Sequence, residues 1–197
     1  MYKKQIKCQK ILCIVAVVAC ALTFLYALGL MTDLYDALYS TMRNPYDLTE
    51  TDVPGSILYY DMQDFNKSLL KYAIGLVLLS CLLFLTQTHA RRKYYVGNYC
   101  SVGLFSVAAV AYTVWAHRSI EGYKAAFLTQ VDFAALKKHA KMWKTAYVDS
   151  TFWFDAHYVV YAILLAVTAL LLVNLIWKIR LMKAEQRLIE AGREAMA

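Results

Sequence analysis

Apolar residues gather along this chain into four stretches, each about twenty residues long and each bounded by polar or charged positions. They run at about 11–31, 69–88, 96–116 and 156–177. Crossing a hydrocarbon core of about 30 Å takes roughly 20 helical residues. Lipid holds no water to bond a bare peptide group, so each crossing has to be a helix. The second stretch is almost unbroken Leu, Val and Ile after Lys71. The third is diluted by Gly97, Ser101, Gly103 and Ser106, yet carries no charge between Lys93 and His117. The pattern predicts an all-α membrane protein, a four-transmembrane-helix bundle forming one domain over residues 1–197.

The connections at 32–68 and 117–155 are long enough to hold structure of their own. In the first, Leu34, Leu38 and Met42 keep a helical spacing, which extends the first helix as far as Asn44-Pro45, where the proline stops it. Pro54-Gly55 is the other strong turn signal. In the second, Asp132 is placed to cap a helix, and Phe133, Leu136, Ala140, Trp143 and Tyr147 recur at spacings of three and four. Lys137, Lys138, Lys141 and Lys144 fall off that stripe. The segment reads as an amphipathic lid over 132–147 held by its aromatic face, the alternatives being an interfacial helix lying on lipid headgroups or a docking surface for a partner. The fourth helix starts near Asp149-Ser150 and continues past the membrane as a polar helical tail over 178–197.

Charge sets the orientation. Lys3, Lys4, Lys7 and Lys10 precede the first stretch, Arg91, Arg92 and Lys93 fill the short link, and Lys178, Arg180, Lys183, Arg187 and Arg193 follow the fourth. By the positive-inside rule, both termini are cytoplasmic and the two long connections form an extracytoplasmic, partly helical cap. The first of them carries Asp33, Asp36, Asp47, Glu50, Asp52, Asp61 and Asp64. The net charge of +7 is therefore an orientation signal, and no nucleic-acid partner is expected. Composition agrees: 60% of residues are hydrophobic and 18% charged, against about 25% charged in soluble domains. Val17-Val18-Ala19-Cys20 looks like a lipoprotein cleavage box, but further apolar residues follow Cys20, so the segment is read as a retained span. Asn66-Lys67-Ser68 fits a glycosylation sequon and is read as chance. Cys8, Cys13, Cys20, Cys81 and Cys100 fall in spans or on the inner side, which excludes a disulfide framework in the cap. The sixteen tyrosines cluster near the predicted interfaces, as an aromatic belt does.

Chemistry is sparse. The spans hold no ionisable group at mid-depth, which removes the usual basis for proton or sodium coupling. Cys13, Ala16, Cys20, Thr23 and Ala27 form a small-residue stripe on the first helix. Asn98, Ser106, Ala109, Thr113 and His117 form a second on the third helix, suited to close helix packing or to lining a pore. Nucleotide-binding, hydrolase and metalloprotease signatures are missing. No cofactor is expected; if a metal were held at the outer face, His117, Asp155 and His157 are the residues at matching depth. A haem could use the same two histidines, whereas His89 has no partner at its own depth. These features favour a non-enzymatic integral subunit of the cell membrane. It would associate with other membrane subunits of a transport or envelope complex, or with itself. The alternatives are an oligomeric channel lined by the third helix and an outer-face metal or haem enzyme.

Overall fold

Ser40 and Thr41 end the first helix earlier than the hydrophobic spacing predicts. The computed structural model describes residues 2–44, 47–88 and 96–194. In it, α1 runs from Tyr2–Tyr39. The Ser40 and Thr41 hydroxyls donate to the carbonyls of Ala37 and Leu38 at 3.2 and 2.6 Å, taking acceptors that a further helical turn would have used. The expected continuation to Asn44-Pro45 is thus corrected. Strand β1 (Met42–Asn44) instead pairs antiparallel with β2 (Asp47–Thr51), Met42 opposite Thr51 and Asn44 opposite Asp47. Pro45 itself lies outside the described residues, as do His89, the basic link Arg91–Lys93 and the final residues 195–197.

Helices α2 (Leu58–Asp61), α3 (Gln63–Thr88), α4 (Val96–Gln130), α5 (Phe133–Trp143) and α6 (Phe152–Glu194) complete the described chain. Four stretches are long and apolar enough to cross a membrane: Lys3–Leu30, Leu58–Gln87, Asn98–Gln130 and Phe152–Arg193. Each contains one of the four predicted spans or nearly all of it. The third and fourth helices exceed their spans, because no proline and few glycines interrupt them.

The chain divides into two compact units. One comprises Met1–Ala21, Leu76–Val110 and Ile163–Ala197. Its interior buries Cys13, Ala16 and Cys20 of α1 with Leu83, Phe105, Ala109, Leu164 and Leu171. Leu78 and Val107 stand 65% and 69% exposed. Large apolar side chains on the outside reverse the habit of a water-soluble surface and match a lipid environment. Asn98, Ser106 and Ala109 of the predicted stripe are also buried in this unit.

The other unit comprises Leu22–Gly75 and Ala111–Ala162, and contains the ribbon, α2 and α5. Leu30, Leu38, Met62, Leu69, Ile120, Phe127, Leu136 and Phe154 are its largest fully buried side chains. Thr113, the next member of the α4 stripe, is buried here. Two glycines fix close approaches. Gly29 lies where an added Cβ would run into the Trp153 ring. Gly55 holds φ at +80° with its Cα against the Gln130 backbone, and next to it Pro54 accepts the Asp132 amide at 3.1 Å.

Candidate functional site

On α4, His117 and Glu121 are four residues apart and so share one face of the helix. His157 enters the same space from α6. The three side chains bring one ligand atom each to within 4.8 Å of one another. His117 Nδ1 lies 2.8 Å from His157 Nε2, and His157 Nε2 lies 3.9 Å from Glu121 Oε1.

Hydrogen bonds fix the tautomers. His157 Nδ1 bonds the carbonyl of Phe154, and a carbonyl only accepts, so Nδ1 carries the proton. With a neutral His157 ring, Nε2 is the bare lone pair, and His117 Nδ1–H donates to it. Glu121 Oε1 accepts from the Tyr158 hydroxyl at 2.8 Å. Tyr158 also stacks on His157 with ring centroids 4.1 Å apart, while Tyr161 meets the same imidazole edge-on at 5.4 Å. Tyr161 in turn makes edge contacts with Tyr26 and Tyr112, so the buried side of the cluster is walled by aromatic rings. Burial falls from His157, which is enclosed, to Glu121 and His117, which reach solvent.

Of the expected trio His117, Asp155 and His157, the two histidines meet and the acid does not join them. Asp155 bonds Lys124 Nζ at 2.5 Å and Thr151 Oγ1 at 2.6 Å instead. Glu121 takes its place. The third predicted span ends at residue 116, which leaves Glu121 in a loop. Carrying the helix through the His117 to Glu121 spacing of four is the signal that finds it.

The lid helix is present but shorter than expected and turned differently. Asp132 caps α5 by accepting from the Ala135 amide at 3.0 Å. Leu136, His139 and Ala140 are buried, and Phe133 is half-buried with its ring 5.1 Å from that of Phe127. His139 Nε2 reaches Asp52 at 3.7 Å. The expected burial of Trp143 is overturned: it is 62% exposed, and Met142 beside it is 64% exposed. Helix α5 closes at Trp143 because Lys144 takes the left-handed conformation, φ 54°. The chain turns away before Tyr147 can join the stripe, and the Tyr147 hydroxyl donates to Asp149 instead. Lys137, Lys138, Lys141 and Lys144 are all exposed on the same helix as Met142 and Trp143 or at its C-terminal cap.

Asn98, which falls by spacing on the α4 stripe, acts as a bonding group. With its amide turned to suit its neighbours, its nitrogen donates to the Thr86 carbonyl at 2.8 Å and its oxygen accepts from Lys178 Nζ at 2.9 Å. Comparison with family models, curated proteins and solved structures returns no match.

Proposed function

We propose that the protein is a non-catalytic, multi-pass membrane subunit that works by association, with both termini cytoplasmic and the α5-bearing cap outside. The observation that carries this reading is the exposure of Met142 and Trp143 outside all four candidate spans. Lipid around the spans accounts for apolar side chains on the long helices, whereas these two lie on α5, between the third and fourth candidate spans. Exposed aromatic and Met side chains in a polar rim are the composition of a contact surface, and Trp is the residue type that most often dominates one. The rim here is Lys137, Lys138, Lys141 and Lys144, so the fitting partner is another membrane protein whose outer surface is apolar at its centre and acidic at its edge.

A cysteine placed at Met142 reads this out with Trp143 kept, because the native cysteines lie in spans or near the N-terminus and none is in the cap. In native membranes Met142→Cys should be protected from an impermeant maleimide, while Lys67→Cys, on an exposed position, should label. After gentle extraction, the intact complex should weigh more than one chain. Equal labelling at both positions together with a monomeric mass overturns the proposal, and labelling only after permeabilisation overturns the orientation.

A further inference from the structure

We propose that His117 Nδ1, His157 Nε2 and one Glu121 carboxylate oxygen bind a single divalent ion of the zinc class where α4 and α6 meet. This inference rests on the donor geometry and not on the association reading. Zinc takes imidazole nitrogen and carboxylate oxygen at about 2.0–2.2 Å. Bonds of that length at a tetrahedral angle place neighbouring donor atoms about 3.3 Å apart. The separations of 2.8 and 3.9 Å bracket this value and all three atoms lie within 4.8 Å of one another, so side-chain shifts of up to about 1.5 Å close the site.

The supporting bonds are those a metal site needs. A ligating imidazole is normally oriented by a hydrogen bond from its other nitrogen, and His157 has one in the Phe154 carbonyl. The Tyr158 hydroxyl does the same for Glu121. His117 lends its Nδ1 lone pair by shifting its proton to Nε2, so both imidazoles stay neutral. Two neutral rings and one carboxylate leave a charge of +1 with a divalent ion. The nearby cation, Lys124, is held by Asp155 at 2.5 Å and adds little repulsion. Two imidazoles exclude magnesium and calcium, which take oxygen donors. The three ligands leave a fourth position on the side where His117 and Glu121 reach solvent, open to water.

The test uses the full chain in detergent or nanodiscs, stripped with a chelator and titrated with Zn2+, and with Co2+ as an optical probe. One equivalent of Zn2+ should bind and raise the thermal midpoint, as any ligand of the folded state does. Bound Co2+ should show visible absorption without the intense near-ultraviolet band of thiolate ligation. His117→Ala and Glu121→Gln should weaken binding at least tenfold, and Tyr158→Phe about tenfold through lost orientation. Asp64→Asn, an exposed acid elsewhere in the same unit, should bind as the parent does. If His117→Ala does not fold, Glu121→Gln and Tyr158→Phe carry the comparison. No binding, binding unchanged in Glu121→Gln, or a thiolate band from the cysteines would each overturn the proposal.

Discussion

Gln9 donates through Nε2 to the backbone carbonyl of Gln87 at 2.7 Å. That carbonyl belongs to the last turn of α3, where no later amide of the helix can reach it. The Gln87 side chain passes the connection on, donating to the Asn98 carbonyl at 2.8 Å and to Ser101 Oγ at 3.2 Å. Gln5 donates to Gln9 Oε1 at 3.0 Å and Asn174 Oδ1 at 3.3 Å. A buried amide layer therefore joins α1, α3, α4 and α6 within one unit.

Removing one member should be felt. Polar bonds between membrane helices contribute about 0.6 kcal/mol on average and up to about 1.7. Gln9→Ala also strands the Gln87 carbonyl and part of the Gln5 amide, so a loss of about 1–2 kcal/mol is expected in SDS unfolding from mixed micelles. Lys10→Ala, on an exposed neighbour, should stay within about 0.5 kcal/mol. Equal losses from the two would show that the layer contributes nothing.

In the cap, Leu136 and Trp143 should separate sharply. Leu136 is fully buried, and truncating such a side chain to alanine costs about 2–5 kcal/mol. Trp143→Ala removes a larger side chain from an exposed position and should leave the thermal midpoint of the isolated chain nearly unchanged. A greater loss from Trp143→Ala would restore the packed-lid reading of this helix.

Gly55 and Gly75 make a matched pair. Alanine at Gly55 must adopt a positive φ and push against the Gln130 backbone, so Gly55→Ala should cost about 1–3 kcal/mol and speed proteolysis of the cap. At Gly75 an added Cβ meets nothing within 4 Å, and Gly75→Ala should be neutral or stabilise by up to about 1 kcal/mol. A Gly55→Ala protein as protease-resistant as its parent would mean that the turn tolerates a side chain.

The four long helices were legible because apolar run length speaks directly to a 30 Å slab. Asp132 was legible as a cap because its chemistry is local. Where the reading failed, the deciding interaction was one of closure or of distance along the chain. Ser40 and Thr41 end α1 through their own hydroxyls, and Lys144 ends α5 by taking a left-handed conformation that lysine rarely adopts. Both outcomes compete with a hydrophobic spacing that points onward. At the histidine cluster, His117 and His157, expected at matching depth, do meet. Asp155 pairs with Lys124 instead, which stands on a helix extension that no periodic apolar pattern marks.

The amide layer also bears on how the length of this chain can vary. Gln5 and Gln9 hang from one face of α1, a single turn apart. Losing or gaining one residue within α1 between Gln9 and the buried Ala16 and Cys20 would rotate the two glutamines by about 100° against the face they serve. The bonds from Gln5 to Asn174 and from Gln9 to Gln87 would then be broken. The same change in the α6 tail beyond residue 183, where most side chains are exposed, rotates only solvated positions. Insertions and deletions should therefore sort by location: tolerated after residue 183, and inside α1 admitted only in steps that restore the helical phase.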